Sequence, residues 1–260
     1  MSLDSQFKVV KTGGSYILYD AGIIADPEVQ LFDADYHTNQ YAQQNNSIPY
    51  TDLRADLNAD LNAEPGIGRA RVVYFPYKDK TFVLKHYYRG GAVASFLKDQ
   101  YLGINTEKSR AFKEWHLLKK MRELGLPVPE AVAAHVERDR FFYRADLITE
   151  KINNTNTLAD VLLEKSITAE QWQKVGACIK LFHQQNVYHA DLNARNILLT
   201  EAGDVYLIDF DNSTIRPDSE KWKMANLTRL KRSLLKFKRN WGDFNFSEEN
   251  WVALLAGYKQ

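Results

Sequence analysis

Between Val187 and Asp211 the chain reads Val-Tyr-His-Ala-Asp-Leu-Asn-Ala-Arg-Asn, continues through Ile197-Leu-Leu199, and reaches Tyr206-Leu-Ile-Asp-Phe-Asp211. This stretch supplies a carboxylate at Asp191, a carboxamide five residues on at Asn196, and a second carboxylate eighteen residues on at Asp209. The apolar run Val205–Ile208 reads as a buried strand that delivers Asp209 at its end. Asn and Asp recur in ordinary turns, so the Asp-x-x-x-x-Asn spacing alone carries little. Its context carries more: His189 two residues before Asp191, an apolar run directly after Asn196, and the second Asp behind a strand. Together these groups suit phosphoryl transfer from ATP. Asp191 would orient and deprotonate an attacking hydroxyl, while Asn196 and Asp209 would hold Mg²⁺ on the phosphates. Mg²⁺ keeps phosphate oxygens and waters in its octahedron, so two protein oxygen donors suffice. His189 is read as a brace of the loop.

A chain built for this chemistry needs further parts upstream. Thr81-Phe-Val-Leu-Lys85 alternates as a strand ending in a lysine, as expected of the lysine that meets the α- and β-phosphates. Before it, Gly66 and Gly68 lie in a turn between two strand-like runs, where backbone N–H groups could approach phosphate. Thr106 is expected to cap a helix over Glu107–Glu123. Phe112, Trp115, Leu118 and Met121 form its apolar stripe, and Gly125 is its stop. Glu114 sits in mid-helix beside that stripe, where it could reach Lys85.

With 260 residues, 45% of them hydrophobic, the chain can bury a core of two lobes in one domain. Its single cysteine, Cys178, forms no disulfide within the chain, and a capping box of Thr168 and Gln171 is expected to open its helix. No apolar run approaches the roughly eighteen residues of a membrane span, and no secretion signal is read at the start. The net charge of +1 hides an asymmetry: residues 1–66 hold ten acidic and three basic residues, whereas residues 212–241 hold nine basic and two acidic ones. Within 221–239 an apolar stripe of Leu227, Leu230, Leu234 and Phe237 accompanies the densest positive charge. It is read as a core face combined with a surface for anionic lipid or sugar. Nucleic acid is not expected, because the aromatics do not interleave with the bases as a stacking platform requires.

Asn193 stands two residues after Asp191, where protein-serine kinases carry a lysine, and only 51 residues follow Asp209. That leaves no room for the extended groove that grips a peptide, so a small-molecule acceptor is expected. The segments Phe82–Gly91, Ser109–Glu114, Leu124–Pro129, Phe142–Glu150, His189–Asn196 and Ile208–Ser213 resemble the 3-deoxy-D-manno-octulosonic acid (Kdo) kinases of the lipopolysaccharide kinase family. The likeness runs from about Leu53 to Leu235, and the first fifty residues carry no motif. It implies a protein-kinase-like α+β fold of two lobes: an antiparallel-sheet lobe over 1–148, with an N-terminal extension, and a short helical lobe over 149–260. It also implies transfer of phosphate from ATP to the 4-hydroxyl of Kdo on a lipid A precursor, at the cytoplasmic face of a Gram-negative inner membrane. Arg89, Arg110 and Arg195 are then available for the acceptor's carboxylate and phosphates. The alternatives are a heptose or aminoglycoside-type phosphotransferase on the same fold, or a non-catalytic pseudokinase that binds a partner.

Overall fold

The computed structural model describes residues 7–37, 71–87, 101–102, 105–139 and 142–260. These fall into two compact units. The first takes the described residues up to His116 together with Glu130–Lys151, and the second takes Leu117–Pro129 and Ile152–Gln260.

The first unit is built on an antiparallel sheet. Its strands are β1 (Phe7–Thr12), β2 (Ser15–Asp20), β3 (Arg71–Tyr77), β4 (Lys80–His86), β5 (Tyr101–Leu102), β6 (Ala131–Asp139) and β7 (Phe142–Glu150). They pair in the order β1-β2-β6-β7-β4-β3, with β5 added on β7. The central strands are buried on both faces: Ala131–Val136 and Ala145–Ile148 are all buried, and all apolar except His135 and Asp146, which bond each other. Phe75, Phe82, Leu84, Val132 and Ile148 form a core cluster on this sheet. In β4, residues 83 and 85 alternate with the buried Phe82 and Leu84, so the period of two sets the face on which Lys85 emerges.

Helix α1 (Arg110–Glu123) follows β5. Phe112, Trp115, Leu118 and Met121 are all buried, as the sequence predicts. Gly125 ends the helix in the left-handed region, with φ of +72°, where a side chain would be strained. The start differs from the expectation. Thr106 opens a separate 3₁₀ turn, Thr106–Lys108, whose cap is Asn105 accepting from the Glu107 N–H. Ser109 then has extended backbone, with ψ of 156°, which interrupts helical hydrogen bonding. The helix restarts at Arg110, with the Ser109 hydroxyl oxygen accepting from the Phe112 N–H at 3.4 Å.

The second unit continues with β8 (Thr155–Thr157), α2 (Leu158–Glu164), α3 (Ala169–Gln184), β9 (Val187–Tyr188), β10 (Ile197–Thr200), β11 (Val205–Leu207), β12 (Thr214–Ile215), α4 (Glu220–Asn240) and α5 (Glu248–Lys259). The capping box of Thr168 and Gln171 opens α3 as expected. Helix α3 packs on α5 through two glycines. A Cβ on Gly176 would lie 1.9 Å from the Leu254 carbonyl, and one on Gly257 would lie 2.0 Å from that of Gln173. Only hydrogen fits at either position, so the two helix backbones approach closely there. Cys178 is buried on α3, and burial pushes its thiol up to about 12, which keeps it protonated and inert. Among the described residues no helix is long and apolar enough to cross a membrane.

Candidate active site

In the first unit, the Lys85 ammonium donates to both carboxylate oxygens of Glu114, at 3.2 and 3.0 Å. Glu114 is buried, and its second support is the Tyr87 hydroxyl, which donates to Oε2. The Tyr87 ring also carries two cations over it, Lys85 Nζ at 4.7 Å and the Arg110 guanidinium at 5.3 Å from its centroid. A buried carboxylate needs this much compensation. Removing Lys85 would break a buried ion pair, a loss of about 3–5 kcal/mol. Lys85, Glu114 and Arg110 stand out in the sequence, whereas Tyr87 does not. The available signal was its position two residues beyond Lys85, on the same side of an extended chain.

The intervening His86 points the other way, onto buried Asp146, which His135 also contacts at 3.2 Å. Burial pushes the Asp146 carboxyl up, but the hydrogen bonds to His135 and His86 outweigh it and hold the group below its usual range. This cluster ties β4, β6 and β7 together beneath the strand that carries Lys85.

In the second unit, β10 and β11 form an antiparallel hairpin that pairs Ile197 with Leu207. The register has a chemical consequence. Asn196 directly precedes β10 and Ile208 directly follows β11, and the Ile208 N–H donates to the Asn196 carbonyl at 3.1 Å. Asn196 and Asp209 therefore stand at the same end of one hairpin, although thirteen positions separate them. Asp209 is exposed and adopts φ of +61°, a left-handed conformation uncommon outside glycine but tolerated by Asp. Its neighbour Phe210 is buried, stacks on Phe182 and packs at a tilt against His189, which anchors the turn.

The loop before β10 is organised by side chains. His189 accepts the Asp191 N–H on Nδ1 at 3.1 Å and donates from Nε2 to the Ile208 carbonyl at 3.0 Å. Those partners define a neutral Nε2–H tautomer with both ring nitrogens in use, the bracing role read from the sequence. Asn193 caps a 3₁₀ turn over Ala194–Asn196 by accepting from the Arg195 and Asn196 N–H groups. Its amide nitrogen donates to the Asp191 carbonyl at 3.0 Å and to Asp191 Oδ2 at 3.1 Å. Asn196 Nδ2 donates to the same carbonyl at 2.9 Å. That bond fixes the amide orientation and leaves Oδ1 as the end turned away from the loop backbone.

These donors can be tested against Mg²⁺. Among the described residues no three His, Cys, Asp or Glu side chains gather as a metal-holding group. The candidate set is one oriented carboxamide oxygen and one carboxylate at a hairpin end. Two hard oxygen donors suit an ion that keeps waters and phosphate oxygens as its other ligands, so the residues fit.

Helix α4 supplies contacts that the sequence did not reveal. Buried Asn226 donates to the His189 carbonyl at 2.8 Å and accepts from the His189 N–H at 3.2 Å. The Ser233 hydroxyl oxygen accepts from the Ala194 N–H at 3.3 Å. Between them, Arg229 Nη1 donates to Asp191 Oδ1 at 2.8 Å. Arg195 lies with its guanidinium 5.3 Å from the centre of the Phe237 ring. Gly66, Gly68 and Arg89, also singled out from the sequence, lie outside the described residues.

Comparison with known proteins follows the same lines. The sequence model of the "Lipopolysaccharide kinase (Kdo/WaaP) family" matches residues 62–258. The chain belongs to that family. A 3-deoxy-D-manno-octulosonic acid kinase of Vibrio vulnificus (strain YJ016) is 36% identical over 247 residues, covering 95% of this chain and 96% of its own. The protein of that name from Mannheimia succiniciproducens is 44% identical over 180 residues, 68% of this chain and 74% of the relative. One from Haemophilus influenzae (strain Rd) is 39% identical over 208 residues, 75% and 85% of the two chains. For this Kdo/WaaP family member, the antiparallel sheet of the first unit and the helices of the second agree with the kinase-like α+β fold expected from the sequence.

Proposed function

We propose that this chain is an ATP-dependent kinase that phosphorylates the 4-hydroxyl of Kdo on a lipid A precursor. The observation that carries the reading is Asn196 and Asp209 at one hairpin end, with Asn196 bonded to the backbone of Asp191, in a chain that aligns over nearly its whole length with a Kdo kinase. Asp191 accepts the proton of the acceptor hydroxyl as that oxygen bonds to the γ-phosphorus and the bond from phosphorus to the β-bridging oxygen breaks. Asn193 and Asn196 hold the Asp191 backbone, so the carboxylate is oriented before the acceptor arrives. Lys85, fixed by Glu114 and Tyr87, meets the α- and β-phosphates. Asn196 and Asp209 would hold Mg²⁺, which when bound neutralises negative charge on the phosphates. We read the two compact units as the lobes of one kinase-like domain. The test is a panel of acceptors offered with labelled ATP. Transfer to a Kdo-bearing lipid and not to heptose-bearing or aminoglycoside acceptors supports the reading, and the reverse preference overturns it. Absence of turnover on every acceptor would favour the pseudokinase alternative.

The metal assignment has its own test. Asp209→Ala should weaken binding of Mg-ATP far more than binding of nucleotide in excess chelator, as read by calorimetric titration. Equal losses in the two conditions would remove Asp209 from the metal site.

The acceptor's acyl chains lie in a membrane, so the enzyme must work at its surface, and we assign the contact to one face of α4. Arg232, Lys236 and Arg239 share that face with Leu235, which is 45% exposed. Lys231 and Lys238 contribute less than their charge suggests, because Lys231 pairs with Glu248 at 2.8 Å and Lys238 donates to the Phe246 carbonyl. Each basic residue near an anionic surface contributes about 1 kcal/mol, so three together are worth on the order of 10²-fold in binding. Replacing Arg232, Lys236 and Arg239 by Gln should abolish salt-sensitive sedimentation with phosphatidylglycerol vesicles while nucleotide affinity stays unchanged. Undiminished sedimentation at low salt would mark the face as merely solvated.

A further inference from the structure

Asn226, Arg229 and Ser233 are spaced i, i+3, i+7, so they share one face of α4, and each meets the loop that carries Asp191. The outer two meet the loop through its backbone and hold it in place. Arg229 is different. Its side chain is 47% exposed and that of Asp191 is 58% exposed. An ion pair this open to water contributes little to stability. The guanidinium is therefore not tied into the fold and can exchange its partner for another anion.

The position of that guanidinium limits what the anion is. Asp191 has Arg229 Nη1 on Oδ1 and Asn193 Nδ2 on Oδ2. Each carboxylate oxygen offers two lone pairs, so an acceptor hydroxyl can still bond to Asp191. Any hydroxyl that does so brings its neighbouring substituents within reach of Arg229. On a neutral sugar those neighbours are further hydroxyls. On a sugar acid one is a carboxylate, which matches the planar fork of a guanidinium with two parallel hydrogen bonds. In Kdo only the anomeric carbon and the deoxygenated carbon separate the carboxylate from the carbon bearing the 4-hydroxyl.

We infer that Arg229 is the residue that recognises the acceptor's carboxylate, turning from Asp191 to the sugar acid as the hydroxyl takes its place beside the base. This rests on the reading that the acceptor is Kdo. It gives the charge of α4 nearest the reactive loop a role distinct from membrane contact. It narrows the sequence expectation, which offered Arg89, Arg110, Arg195 and the whole basic segment 221–239 to the acceptor's charges, to one residue of that segment.

The experiment compares the parent, Arg229→Gln and Arg229→Lys on a Kdo-bearing lipid and on the same lipid with the Kdo carboxyl methylated. Arg229→Gln should raise the KM for the native acceptor on the order of 10- to 100-fold, the range for a lost charge-assisted pair, with a smaller change in kcat and none in the KM for ATP. Methylating the acceptor should impose a similar rise on the parent, and the two changes together should be little worse than either alone. Arg229→Lys, which keeps the charge and loses the fork, should fall between them, and thermal melts should match the parent. Additive losses, or a fall in kcat with KM unchanged, overturn the inference and leave Arg229 as a support of Asp191. A parent that phosphorylates neither acceptor overturns the functional reading and the inference with it.

Discussion

Asp191→Asn should slow phosphate transfer by on the order of 10²–10⁴-fold, the range for loss of a general base, while nucleotide affinity and melting temperature stay near those of the parent. The substitution is nearly isosteric and acts at a half-exposed side chain. An amide cannot take the acceptor's proton. It also turns one oxygen into a donor that faces either Arg229 or Asn193 Nδ2, both of which are donors themselves. Water reaches this site, so the mismatch is relieved without unfolding the loop. The Asp191 carbonyl that receives Asn193 and Asn196 is backbone and is untouched. Single-turnover rates at saturating ATP and acceptor measure the chemical step. A rate within a few-fold of the parent would remove Asp191 from the role of base.

Asn226→Ala should be the more damaging change for the fold. Truncation leaves the N–H and the carbonyl of His189 buried with their bonds to Asn226 lost, and each such group costs about 1–3 kcal/mol. A loss of about 2–6 kcal/mol lowers the melting temperature of a chain this size by about 2–4 °C per kcal/mol, so a fall of several degrees or more is expected. A melt within a degree of the parent would show that Asn226 does not hold the loop. The same residue accepts from Nε2 of His183, whose Nδ1 accepts from the Tyr258 hydroxyl at 2.8 Å. Burial pushes His183 down to about 4 from an ordinary 6.5. The unfolded chain thus takes up this proton first as pH falls. His183 costs no stability above pH 6.5, and stability is lost progressively as pH falls toward 4. Melts of the parent at neutral pH and near pH 5 should show that loss.

Much of this arrangement was legible in the sequence because it is local. The alternation that ends at Lys85, the stripe from Phe112 to Met121 and the capping box at Thr168 each lie within one element or one turn, and Asp191, Asn196 and Asp209 lie on one loop and the hairpin that follows it. The start of α1 was misread for a local reason as well. Asn105, Thr106 and Ser109 can all cap, and the structure uses Asn105 and Ser109 in succession.

Helix α4 shows what the sequence does not express. Its apolar stripe was readable, and Leu227, Leu230, Leu234 and Phe237 are all buried. Its polar residues were read together as one charged surface, yet they divide into two faces. Asn226, Arg229 and Ser233 serve the loop of Asp191, and Arg232, Lys236 and Arg239 face solvent. A polar side chain turned toward a neighbouring loop and one turned toward water have the same signature in a linear pattern. Partners some 37 positions away distinguish them, and periodicity carries no information about those. The roles of Tyr87 and Asn193 stayed hidden for a related reason: one phenol or carboxamide serves several groups at once, and only coordinates reveal that.

The reaction proposed for this chain is transfer of the γ-phosphate of ATP to Kdo with Asp191 as the base. Incubating the parent and Asp191→Asn separately with ATP, Mg²⁺ and a Kdo-bearing lipid A precursor, then weighing the lipid and mapping any added group by NMR, tests it most directly. The expected product is a lipid heavier by one phosphate, carried on the Kdo 4-hydroxyl, from the parent and almost none from the variant. An unmodified lipid from the parent, a phosphate on another sugar, or equal product from both proteins would contradict it.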